Sequence, residues 1–136
     1  MEQVAPVTAA PAVFDTSVFI DREGRGVGEL AQWAPIVSVV TIAELTLGVR
    51  LAKSAEVAEQ RAAMLADAMK ARVVPVDVAL VVQAWCALRV SLQRKIPAND
   101  SWIAATALAL GIPIVTQDDD FAAAASMLRI ERIERI

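Results

Sequence analysis

Short runs rich in Val and Ile alternate with helical stretches along the whole chain, and few folds accommodate that order. Runs at 12–14, 36–40, 73–76 and 112–115 read as strands, and 129–131 as the start of a fifth. Helical patterning covers 29–34, where it stops before Pro35, then 41–53, about 56–71, the stretch after Asp77 to about 94, 99–110 and 119–127. Pro75 suggests an edge position for the third strand. Asp77 is placed to cap the helix behind it, and Gly111 followed by Pro113 marks the end of the helix at 110. The alternation predicts an α/β fold: a single domain with a mainly parallel central sheet of four to five strands and helices on both faces. Residues 1–11, rich in Ala and Pro, read as a loose lead-in to a domain at 12–136.

Strands of an open parallel sheet end on one edge, and ligands bind there, near a switch in strand order. Four acids from distant parts of the chain fall on that edge. Asp15 follows the first strand in Val13-Phe14-Asp15-Thr16-Ser17, and Glu44 lies in Thr41-Ile42-Ala43-Glu44-Leu45. Asp100 opens the helix in Asn99-Asp100-Ser101-Trp102, and Asp118 follows the fourth strand in Thr116-Gln117-Asp118-Asp119-Asp120-Phe121. Each has a structural explanation of its own. Thr41 and Glu44 form a Thr-x-x-Glu capping box, and Asp15, Asp100 and Asp118 sit where acids stabilise helix starts. Together they resist that explanation. Capping needs one acceptor per helix, and two carboxylates about 4 Å apart cost on the order of 4 kcal/mol at an effective dielectric near 20. A divalent cation reverses the sign, and an all-oxygen donor set suits Mg²⁺ or Mn²⁺.

The rest of the composition removes competing chemistry. The chain has no histidine, which excludes His-dependent triads and His-ligated zinc. Its one cysteine, Cys86, sits in an apolar helical stretch and reads as a packed thiol. Nothing argues for secretion or a membrane span, so a soluble, cytoplasmic protein is expected. The net charge of −3 at first disfavours a nucleic-acid partner. Setting aside Asp15, Glu44, Asp100, Asp118 and Asp120 leaves 11 acids against 13 bases, a scaffold of +2. The acidity is concentrated in the proposed site.

With these motifs in this order, the chain resembles PIN-domain ribonucleases, most closely the VapC-type toxins of bacterial toxin–antitoxin pairs. The resemblance runs from Val13 to about Ile133 and includes Gly48 and Arg50 beside the acids. It implies metal-ligating or metal-water-ligating roles for Asp15, Glu44, Asp100 and Asp118. Asp120 is a further candidate, and Asp119 falls in a variable slot. Thr16, Ser17, Asn99 and Thr116 would orient ligands or waters. The implied activity is Mg²⁺- or Mn²⁺-dependent endoribonuclease cleavage by an activated water, leaving a 5′-phosphate and a 3′-hydroxyl. The implied partners are RNA, a second copy of the chain in a homodimer, and a cognate antitoxin that sets a basic side chain among the acids.

Arg22, Arg25, Arg50, Arg94 and Lys95 are candidates for RNA phosphate contact, each balanced against a solvated surface role. Trp33 is the one candidate for exposed stacking, and Gly48 reads as a close helix-packing position. Three rivals stand beside the toxin reading. One is a PIN nuclease acting in RNA processing outside a toxin pair, and another a non-catalytic PIN-like binding module. The third, a phosphoacceptor receiver domain, wants adjacent acids after the first strand and a late lysine. Here Thr16 follows Asp15, and no lysine follows Lys95.

Overall fold

A computed structural model describes residues 9–20, Leu30 and residues 32–134. Five strands, β1 (Ala10–Phe14), β2 (Trp33–Ser38), β3 (Arg72–Val74), β4 (Ile114–Thr116) and β5 (Ile130–Arg132), form one sheet in the order β3-β2-β1-β4-β5. Every pairing is parallel. The helices are α1 (Val39–Arg50), α2 (Ala55–Ala68), α3 (Ala79–Leu92) and α4 (Ala98–Leu110). The chain builds β2 and β3 to one side of β1, and β4 and β5 to the other. The switch point therefore lies between β1 and β4.

The strands have hydrophobic residues on both faces because both faces are covered. Val13, Ile36 and Ile114 point into a core filled by α3 and α4, through Val81, Leu88 and Ile103. Their neighbours Phe14, Val37 and Val115 point the other way, into a core closed by Leu45 of α1 and Ala68 of α2. Successive residues of one strand thus serve opposite layers, as a period of two requires.

Several boundaries differ from the sequence reading. β1 starts at Ala10, inside the segment read as lead-in. The helix expected at 29–34 lies partly outside the described residues, and Trp33 and Ala34 are strand. Pro35 is tolerated within β2 because the ladder to β3 begins only at Ile36. β3 is an edge strand, with Pro75 just beyond it. Asp77 does not cap α3, whose N-cap residue is Val78 with no side-chain bond. The Ala-rich helix expected at 119–127 is only a 3-10 turn, Ala122–Ala124. So short a segment gains little from propensity alone, and it is held by burial of Phe121 and Ala124. Cys86 is exposed on α3, not packed.

Gly111 ends α4 in the left-handed region at φ 68°, as its position predicts. Gln93, which ends α3, also has a positive φ, 51°, with ψ −118°, where a side chain is strained. Gln93→Gly should relieve that strain and stabilise the protein by about 1 kcal/mol. A urea unfolding curve would show a higher midpoint at unchanged slope.

Candidate active site

Asp15 leaves β1 at the switch point and is buried, 3% exposed. The Ser17 and Thr116 hydroxyls both donate to its Oδ2, at 2.6 and 2.8 Å. Ser17 is in the 3-10 turn Thr16–Phe19 that follows Asp15, and Thr116 ends β4. The carboxylate is therefore clamped from two strands. Burial pushes its pKa up, the Ser17 and Thr116 bonds pull it down, and the nearby Asp118 charge adds to the upward push.

Glu44 corrects the capping-box reading. The N-cap residue of α1 is Ser38, whose hydroxyl accepts from the Val40 N–H. Thr41 lies inside the helix, fully buried, with its hydroxyl 3.0 Å from that of Thr16. The Glu44 carboxylate instead reaches across the edge. It accepts from the Thr16 hydroxyl at 2.5 Å and from the Asn99 side-chain amide at 3.3 Å. Thr16 and Asn99 thus connect the β1 end, α1 and α4.

Asp100 lies in the first turn of α4, where the N-cap residue, Pro97, offers no side-chain bond. Burial pushes its pKa to about 7, and the charges of Asp15, Asp120, Glu44 and Asp118 add to the shift. All five acids therefore share one electrostatic neighbourhood. Asp118 lies two residues past β4; its Oδ1 accepts from the Asp120 N–H at 3.2 Å and lies 3.2 Å from the Thr116 hydroxyl, whose proton goes to Asp15. Asp120 is exposed, and its pKa is raised by partial burial and by Asp118 and Asp119. Asp119 turns away to pair with Arg132 at 2.8 Å, which suits a variable slot.

The basic candidates do not converge in the same way. Arg22 and Arg25 lie outside the described residues. Arg50 is exposed at the far end of α1, six residues and about 9 Å of helix beyond Glu44. Arg94 and Lys95 lie in the turn leading to α4 and line a concavity of about 580 Å³ with Arg89. Trp33 is at the start of β2, away from the strand ends, with the Arg129 guanidinium 5.8 Å from its ring centroid.

Sequence reasoning missed Gln117. It is 1% exposed and its amide donates to the carbonyls of Ser17 and Ile20, while its backbone N–H donates to the Ser17 hydroxyl. It ties the turn that carries Thr16 and Ser17 to β4. Its buried Oε1 has no partner. The only hint in the sequence is an amide between Thr116 and Asp118, which reads equally well as a loop residue.

The donor set at this edge is carboxylate oxygen alone, with hydroxyls and an amide fixing two of the acids. Among the described residues no three acids close into a ready-made metal cage. Mg²⁺ keeps several waters beside one or two carboxylates, so a site for it would not need three protein ligands. Burial leads the upward shifts at Asp15, Asp100 and Asp120, and the charges of neighbouring acids add to them, a load that such an ion would relieve.

Comparison with known proteins agrees with this geometry. Residues 12–127 match the PIN domain family. The chain is similar to Ribonuclease VapC5 of Mycobacterium tuberculosis, 40% identical over 131 residues, covering 93% of this chain and 96% of that protein. It is also similar to Ribonuclease VapC4 of the same organism, 44% identical over 117 residues, covering 82% and 89%. The crystal structure of VapBC-5 from M. tuberculosis, a member of the VapBC family of toxin–antitoxin systems, matches with a TM-score of 0.80 at 37% identity, over 91% of this chain and 99% of that one. FitAcB from Neisseria gonorrhoeae, at 24% identity and a TM-score of 0.71 over 88% and 96% of the two chains, shares the fold. On the sequence match, the shared sheet and the placement of the acids, this chain belongs to the PIN-domain family, among its VapC members.

Proposed function

We propose that this protein is a divalent-metal-dependent endoribonuclease and the toxin of a toxin–antitoxin pair. The observation that carries the reading is the meeting of Asp15, Glu44, Asp100, Asp118 and Asp120 at the switch point, with Asp100 pushed to about 7 by burial and by the other four. A fold does not retain such repulsion for its own stability; a site that takes up positive charge accounts for it.

Asp15, Asp100 and Asp118 would hold Mg²⁺ or Mn²⁺, with Glu44 binding directly or through water and Asp120 as a further candidate. Such an ion, when bound, lowers the pKa of water and offsets charge on the phosphate. The chain's own side chains set the geometry. Ser17 and Thr116 fix Oδ2 of Asp15, so its carboxylate cannot rotate away from the cleft. Thr16 and Asn99 hold Glu44 across from Asp100. Water attack in line on phosphorus would leave a 5′-phosphate and a 3′-hydroxyl.

The similarity to VapC ribonucleases and to a toxin–antitoxin structure supports both the RNA substrate and an antitoxin partner. An Arg or Lys from that partner would supply the positive charge the acids lack. A homodimer is supported by α3, where Val82, Cys86 and Val90 recur every four residues on an exposed face. No helix among the described residues is long and apolar enough to cross a membrane. The test is RNA cleavage with and without EDTA. Chelation should stop cleavage and added Mn²⁺ restore it; cleavage that continues in EDTA contradicts the reading.

A further inference from the structure

We propose that the cavity between α1 and α2, opening beside Glu44, receives one unpaired nucleobase of the RNA next to the cut bond, with Gln60 reading its edge. The inference rests on the ribonuclease reading and adds to it the residues that set sequence preference. The cavity holds about 540 Å³, within the roughly 300–1,000 Å³ typical of small-ligand sites. Thr16 and Glu44 are among its lining residues, so it adjoins the acid cluster through Glu44.

Its lining suits a base better than a phosphate. Ile20, Val57 and Met64 offer apolar surface for a flat ring. Gln60 is exposed at the rim, and its amide presents a donor and an acceptor together, the pattern that pairs with a base edge. The guanidinium of Arg61 donates to the Gly48 carbonyl at 2.8 Å and keeps its charge, which offsets that of Glu44, so the lining carries no net charge, as suits a neutral base. RNA recognition by sequence favours such splayed-out, unstacked bases.

Gly48, in the wall of the same cavity, adds to the argument. Glycine in the last turn of α1 still weakens the helix, and close packing does not require it. A Cβ placed there would meet only Cδ of Arg61, at an ordinary 3.8 Å. Gly48 lines the cavity, and any side chain there would take space from it. Keeping that space open accounts for the glycine where packing does not.

The test is sequencing of cleaved ends from a randomised RNA pool treated with wild type, Gln60→Ala and Gly48→Leu, each also melted. Wild type should show a base preference at one position beside the cut. Gln60→Ala should relax that preference about tenfold at unchanged Tm. Gly48→Leu should lower cleavage about tenfold without lowering Tm. Unaltered preference and rate in both variants overturn the inference while leaving the ribonuclease reading standing, and a cavity serving a protein side chain would give that result. If wild type cleaves nothing, the ribonuclease reading has failed, and binding of a fluorescent trinucleotide RNA decides the cavity. Weaker binding by Gly48→Leu than by wild type supports it; equal binding or none overturns it.

Discussion

Replacing Asp100 by Asn is expected to reduce RNA cleavage roughly a thousandfold while raising the thermal stability of the metal-free protein at pH 8. The two effects have one cause. Ionisation of Asp100 in the folded state is opposed first by its partial burial and then by the charges of four other acids. The amide keeps the shape and removes the charge, so the repulsion falls and the fold tightens. The same change removes a metal-binding oxygen anion, and the chemistry goes with it. A structural acid would behave in the opposite way, with stability lost and activity kept. Melting curves and single-turnover cleavage on the same preparations separate the two.

The second large effect is on the linkage between pH, metal and stability. Asp100 has a folded pKa near 7 against an ordinary value of 3.8, so between those values the folded state binds more protons than the unfolded one. Stability must then fall as pH rises through that window and level off above it. Asp15 and Asp120, also raised, act in the same direction. After screening at the half-buried Asp100 and the exposed Asp120, a drop of about 5 °C in Tm from pH 5 to pH 8 is expected for metal-free protein. Mn²⁺ at about 100 times its pH 8 dissociation constant should add roughly 2.7 kcal/mol, or about 8 °C, at pH 8, and the same concentration should add less at pH 5. Asp15→Asn should abolish the Mn²⁺ shift. A wild-type Tm indifferent to divalent ions would sink the metal assignment.

Much of this site is legible in the sequence, because its acids follow strand ends and strand ends share an edge. Asp15 and Asp118 need only the alternation of strands and helices to be brought together. Glu44 is harder to place. Thr41-x-x-Glu44 fits a capping box by spacing, yet the helix starts two residues before Thr41 and Ser38 takes the cap. Local patterns fix which residues can cap; tertiary packing fixes where the helix begins. The run Asp118-Asp119-Asp120 cannot be ordered from sequence, because the Arg132 that draws Asp119 outward arrives from β5. Gln117 is invisible for the same reason, since its partners lie about a hundred positions away. Cys86 misleads because an apolar run does not tell which helix face meets the core.

The central claim is that these acids form a metal-dependent centre for hydrolysing RNA. The most direct measurement is the chemistry of the RNA ends produced by wild type with Mn²⁺, with EDTA, and by Asp100→Asn with Mn²⁺. The account predicts 5′-phosphate and 3′-hydroxyl ends in the first reaction alone. A 2′,3′-cyclic phosphate, or equal cleavage in all three, would contradict it.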